Sequence, residues 1–98
     1  MAGPIALKVL TQEGVALEDG AVSVVAPGEP GYLGMLRSHA PLVTTLKPGR
    51  LIWRRAEGGR RAVRIGSGLL EVEHDRVTIL TDSVGELIDP ESTRSPHA

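Results

Sequence analysis

Cysteine and phenylalanine are both absent from this chain of 98 residues. Without cysteine there is no disulfide scaffold, no thiolate metal site and no cysteine nucleophile. Aromatic residues make up 2% of the chain, namely Tyr32 and Trp53, so the core must be built mainly from aliphatic side chains. Neither sign of charge dominates. Eleven Lys and Arg stand against twelve Asp and Glu, a formal net charge of −1, and no global field draws the chain toward nucleic acid or membrane. No apolar run approaches the roughly 20 residues needed to cross a bilayer. Residues 1–10 carry Lys8 among their apolar side chains and do not read as a signal peptide. The default address is the cytoplasm, with any membrane association made through a partner.

What the chain has is punctuation. Twelve glycines and seven prolines break it into short segments. Between them lie runs with the two-residue alternation of half-buried strands. Ile5, Leu7 and Val9 share one face with Lys8 opposite, and Gln12-Glu13-Gly14 is a turn. Residues 15–17 form a second strand, Asp19-Gly20 is a hairpin signal, and Val22 and Val24 alternate with Ser23 in the next strand. The loop Ala26-Pro27-Gly28-Glu29-Pro30-Gly31 forbids regular structure. Extended segments resume over residues 32–36 and 42–46.

Leu51-Ile52-Trp53-Arg54-Arg55 then runs through Ala56-Glu57-Gly58-Gly59 into a return strand, with Leu51 and Trp53 sharing one face and Val63 and Ile65 sharing a face on the return strand. Gly66-Ser67-Gly68 allows a bend, Leu70 and Val72 alternate with glutamates, His74-Asp75 turns the chain, and Val77 and Ile79 alternate with Thr78. Strands so close, joined by tight turns, pair antiparallel, because a parallel pair needs a crossover of about a dozen residues or more. The expected fold is all-β, an antiparallel β-sandwich of about nine to ten short strands filling one domain. Residues 1–84 form the sandwich and residues 85–98 a short irregular tail, in which Asp89-Pro90 could open a helix that Pro96 stops within two turns.

Few residues suggest chemistry. His39 with Ser38 and Asp82 has the composition of a hydrolytic triad, but no nucleophile elbow accompanies it. The three histidines, His39, His74 and His97, lack metal-ligand spacing. The glycine-rich stretch over residues 28–34 has no lysine and no following helix, so it is not a phosphate cradle. Arg50, Arg54, Arg55, Arg60, Arg61 and Arg64 make one hairpin strongly positive. That charge suits a solvated hairpin, a contact with acidic groups of a partner, or a free-standing binding module that uses the hairpin on an acidic partner.

Four blocks in order carry a resemblance. They are Pro27-Gly28-Glu29-Pro30-Gly31-Tyr32-Leu33-Gly34-Met35-Leu36 with His39-Ala40-Pro41-Leu42-Val43-Thr44 and Leu46-Lys47-Pro48-Gly49; Gly66-Ser67-Gly68-Leu69-Leu70-Glu71-Val72; Val77-Thr78-Ile79-Leu80-Thr81-Asp82; and Thr11-Gln12-Glu13-Gly14. Together they resemble the epsilon subunit of F-type, rotary ATP synthases over residues 5–89. Two departures fall in the loop block: Tyr32 stands where the family has an acidic residue, and Leu36-Arg37-Ser38-His39 replaces its LPGH.

The resemblance implies a ten-stranded sandwich at the foot of the central stalk, seated between the gamma subunit and the c-ring. It would be a rotor part of a proton-translocating synthase, with no catalytic residues of its own. Glu29, Pro30, Gly31, Tyr32, Leu33 and Gly34 are then the expected c-ring contact. Thr11, His39, Ala40, Pro41, Leu42, Val43 and Thr44 are the expected gamma contact. The expected address is the cytoplasmic face of the inner or plasma membrane, as a peripheral subunit. The family's C-terminal helical hairpin is missing from these residues. Its ATP-binding pattern is not matched either, since Pro90 follows Ile88-Asp89 and Ser92 stands in place of arginine. No ATP site, metal or other cofactor is implied.

Overall fold

Alternation of apolar and polar side chains sets the first strand. In β1 (Ile5–Thr11), Ile5, Leu7 and Val9 are buried while Ala6 and Lys8 face solvent. The computed structural model describes residues 4–88, and across them eight more strands follow. These are β2 (Gly14–Pro27), β3 (Tyr32–Leu36), β4 (His39–Leu46), β5 (Gly49–Arg55), β6 (Arg60–Ile65), β7 (Gly68–His74), β8 (Arg76–Thr81) and β9 (Val84–Ile88). The order across the sheet is β4-β7-β8-β1-β2-β5-β6-β9, with β3 paired to β2.

β2 belongs to both layers of the sandwich. Residues 14–21 pair with β1, and residues 21–27 pair with β3 and β5. The sheet thus folds over along this one long strand. The first layer is β4-β7-β8-β1 with the start of β2. The second is β3, the end of β2, β5, β6 and β9. A bridge between Gly28 and Leu46 brings the end of β2 to β4. One apolar cluster fills the space between the layers, with Val9, Val24, Leu51, Leu70 and Ile79 fully buried. The all-β sandwich expected from the sequence is the fold observed.

Three local readings are corrected. Asp19-Gly20 is not a turn, because it lies inside β2. The Asp19 carboxylate accepts hydrogen bonds from Trp53 Nε1 at 2.9 Å, Arg55 Nε at 3.0 Å and the Gly20 amide at 2.9 Å, while the Gly20 carbonyl accepts from the Ala56 amide. The polar groups that would close a hairpin are instead committed to β5 and the turn after it. Val22 does not share a face with Val24. A bulge between Ala21 and Ser23 turns Val22 outward, 39% exposed, while Val24 is fully buried. Finally, β1 and β8 are parallel, from Ala6 opposite Arg76 to Leu10 opposite Leu80. The crossover constraint governs consecutive strands, and six strands separate these two. Residues 85–88, read from the sequence as tail, continue β9 against β6. The helix start at Asp89-Pro90 and the rest of the tail lie outside the described residues.

The Asp19 cluster pins the point where β2 passes between the layers. Burial alone would raise its carboxyl, but the bonds from Trp53, Arg55 and Gly20 and the charge of Arg55 outweigh that and hold it below the ordinary value. Asp19→Ala leaves a buried indole N–H and a guanidinium without their acceptor, and is expected to cost about 2–4 kcal/mol, read from urea midpoints. The lowered carboxyl stabilises the fold fully above the unfolded value of about 3.9. Its contribution fades as pH drops below that and through the folded value, so the parent should lose part of its margin over Asp19→Ala in that acid window.

Candidate functional site

Inward-facing positions of the first layer fill the core. Its outward positions carry the candidate site. Reading across the register, Thr45 stands opposite Leu69, Leu69 opposite Leu80, Leu80 opposite Leu10, and Leu10 opposite Val15. Directly opposed residues share a sheet face, so these side chains form one row across β4, β7, β8, β1 and β2. At about 4.8 Å per strand spacing the row is roughly 19 Å wide. Its centre is apolar and open: Leu69 is 39%, Leu80 50% and Val15 52% exposed.

The neighbouring row runs Val43, Glu71, Thr78, Lys8, Glu18. Val43 is exposed and adds to the apolar row, while Lys8 and Glu18 face one another at 4.0 Å and supply a charged margin. An ordered apolar band with a polar edge on a sheet's solvent face marks a surface for another protein.

The expected gamma residues fall around this band. Thr11 ends β1 one residue beyond Leu10, and its Oγ1 accepts the Glu13 amide at 3.1 Å. His39, Ala40, Pro41, Leu42, Val43 and Thr44 lie in β4, the edge strand of the layer. Val43 points outward beside the row. Leu42 and Thr44 stand opposite Val72 and Leu70 and turn inward. His39 is half-buried at the far end of β4, opposite His74, and its Nδ1 lies 2.7 Å from the Ala40 carbonyl.

The expected c-ring residues form a tip that adjoins the Thr45 end of the row. Glu29, Pro30 and Gly31 make the turn from β2 to β3, and Tyr32, Leu33 and Gly34 begin β3. This turn is anchored on β4: the Glu29 amide bonds the Thr45 carbonyl at 3.0 Å, and Thr45 Oγ1 donates to Glu29 Oε1 at 2.5 Å. The Tyr32 hydroxyl accepts the Arg50 amide at 3.1 Å, which holds a ring that is otherwise 54% exposed. The result is a preshaped tip at one end of the sandwich, with the apolar band along one side.

The Ser38, His39 and Asp82 combination is not assembled. His39 faces the last residue of β7, whereas Asp82 follows Thr81, which faces the first. Six residues of extended strand put roughly 20 Å between those ends. Among the described residues no group of three or more His, Asp or Glu is placed to hold a metal ion. Also among them, no helix is long and apolar enough to cross a membrane.

Sequence reading missed Leu10, Val15, Leu69 and Leu80. The signal was nonetheless present: Val9-Leu10, Leu69-Leu70 and Ile79-Leu80 are adjacent apolar pairs that break the alternation. One member of each pair must face outward.

Residues 4–86 match the family described as ATP synthase, Delta/Epsilon chain, beta-sandwich domain. The chain is 44% identical over 90 residues to the ATP synthase epsilon chain of Moorella thermoacetica, covering 90% of this chain and 67% of that one. It is 37% identical over 94 residues to the epsilon chain of Desulfatibacillum aliphaticivorans, covering 96% and 67%. It thus spans about two thirds of the length of these relatives. In fold it is similar to a chain in the structure of the Euglena gracilis mitochondrial ATP synthase OSCP/F1/c-ring, with a TM-score of 0.77, 23% identity, and coverage of 94% of this chain and 57% of that one. A family match over nearly all the described residues, relatives of this identity and a shared sandwich together establish that the chain belongs to the delta/epsilon family of ATP synthase as its β-sandwich domain.

Proposed function

We propose that this chain is the epsilon-type rotor subunit of a proton-translocating ATP synthase, joining gamma to the c-ring in the central stalk. The observation that carries the reading is the apolar row from Val15 through Leu10 and Leu80 to Leu69, exposed on one outer face of a rigid sandwich. Gamma packs on that side, with Thr11 and Val43 at its margin and the β4 edge from His39 to Thr44 along its border. The tip formed by residues 29–34 meets the c-ring. The chain has no catalytic step. It transmits torque, and for that a sandwich with a continuous hydrogen-bonded ladder and a filled core is suited, because it twists little under load. It sits on the cytoplasmic face of the membrane through the complex.

Relatives named as epsilon chains support the assignment, as does the exposed apolar row beside the preshaped tip. The test is calorimetry or co-elution of the purified chain with gamma from the same organism. A one-to-one complex at micromolar concentration or below is expected. No binding at tens of micromolar would overturn the reading.

A further inference from the structure

The second layer presents a different chemistry on its own outer face. In the β5–β6 ladder Arg50 stands opposite Arg64, and Arg54 opposite Arg60. Opposed residues have Cβ atoms about 4.5–5.5 Å apart, and like charges there are destabilising. The two pairs lie four residues apart along β5, roughly 13 Å at about 3.4 Å per residue. Between them Ile52 faces Ala62, with Val25 on the far side of Ile52 and Ile88 on the far side of Ala62. Ala62 is buried and Ile52, Val25 and Ile88 are half-buried, so guanidinium groups frame a shallow apolar strip.

Arg50 and Arg60 each engage a neighbour. Lys8–Glu18, Arg55–Asp19 and Arg55–Glu57 are ion pairs among the described residues, and none of these three involves Arg54 or Arg64, one from each opposed pair. The nearest acid along β9 is Glu86, in the irregular stretch between the Val63–Leu87 and Ile65–Val84 pairings.

We infer that this face, on the side of the sandwich away from the apolar row, docks an acidic protein segment. A sheet that twice sets arginine against arginine sacrifices stability that an opposite charge at either position would restore. Carboxylates from a partner supply that charge with bidentate geometry. An apolar centre with an arginine margin is the anatomy of a protein contact. A face for single-stranded nucleic acid needs stacking platforms along its length, whereas Trp53 is buried and Tyr32 stands only at the Arg50 end, its hydroxyl tied to the Arg50 amide. A lipid-binding face needs protruding apolar side chains, whereas this strip is recessed. Carboxylates seven residues apart on an α-helix lie on one face about 10.5 Å apart along its axis, and the long glutamate and arginine side chains reach the rest of the roughly 13 Å between the pairs, with an apolar side chain one turn along between them over Ile52 and Ala62.

The probe is a fluorescein-labelled helical peptide of about 20 residues, with glutamates seven residues apart and leucine one turn along between them on the same face. It is titrated into the chain at low salt. The variants are Arg54→Glu and Arg64→Glu, both at exposed positions and both turning a repulsive pair into a complementary one. Thermal melts no lower than the parent's confirm their folding. The peptide is expected to bind the parent, to bind more weakly as salt rises, and to lose at least about tenfold in affinity to each variant. Single-stranded DNA and phosphatidylglycerol vesicles of matched charge should bind less tightly. Equal peptide affinity in parent and variants would overturn the inference. So would absence of peptide binding to the parent, or tighter arginine-dependent binding of DNA or vesicles. Gamma binding should be unchanged in both variants. If it is lost instead, this face belongs to gamma and the inference fails, while the stalk assignment stands.

Discussion

Gly68→Ala is expected to cost about 3 kcal/mol or more and to lower the melting temperature by roughly 15 °C. Gly68 opens β7 and is flanked on both sides, by Leu46 of β4 and Thr81 of β8. A β-carbon built there would run into the Leu80 carbonyl oxygen, with the Leu80 carbonyl carbon and the Thr81 Cα each at 2.9 Å. All three obstacles are backbone atoms of the paired strand. They cannot swing aside as a side-chain end would, so the β7–β8 ladder must open at this point.

Opening it also strands a buried polar group. Thr81 is 6% exposed, and its Oγ1 donates to the Ser67 carbonyl at 3.0 Å, which also accepts the Asp82 amide at 3.1 Å. Pushing β8 away from residue 68 weakens all of these bonds together. Gly58→Ala is the comparison. Gly58 has φ +108 in the β5–β6 turn with nothing within 4 Å of a built β-carbon, so only backbone strain of about 1–2 kcal/mol applies. Equilibrium urea unfolding of both variants decides the matter. Gly68→Ala as stable as the parent would mean that β7 and β8 do not pair in this register.

Part of this architecture could be read from local pattern, and the limits have physical causes. Ile5, Leu7 and Val9 were expected on one face, as were Leu51 with Trp53, Val63 with Ile65, Leu70 with Val72, and Val77 with Ile79. All of them are buried. Period-two burial is set residue by residue, so sequence suffices for it. The parallel pairing of β1 with β8 depends on where the whole chain returns in space. No local pattern carries that. Asp19-Gly20 reads as a turn until Trp53 and Arg55, 34 and 36 positions away, claim the carboxylate.

The candidate site divides the same way. The tip over residues 29–34 and the edge over 39–44 were singled out through family resemblance. The apolar row was not, because Leu10, Val15, Leu69 and Leu80 look like ordinary members of separate strands. They become one surface only after four strands from both ends of the chain are placed side by side.

Leu80→Glu is expected to abolish gamma binding while leaving the fold intact, and it is the sharper test of that surface. Leu80 lies at the centre of the row with Leu69 on one side and Leu10 on the other, and it is 50% exposed. In the free chain a carboxylate there stays hydrated, so the change in stability should be within about 0.5 kcal/mol. In the complex the same carboxylate would be enclosed among leucines without a partner, and the penalty is several kcal/mol. A loss of at least about 100-fold in affinity follows, since each 1.4 kcal/mol is tenfold.

Leu87→Glu controls for the added charge. Leu87 is 58% exposed, but it lies on β9 in the other layer. Both variants and the parent are titrated against gamma by calorimetry at one salt concentration. If Leu87→Glu binds like the parent and Leu80→Glu does not, gamma sits on the first layer's outer face. If the results are reversed, gamma docks on the β9 side, and the row from Val15 to Leu69 must be explained by another partner.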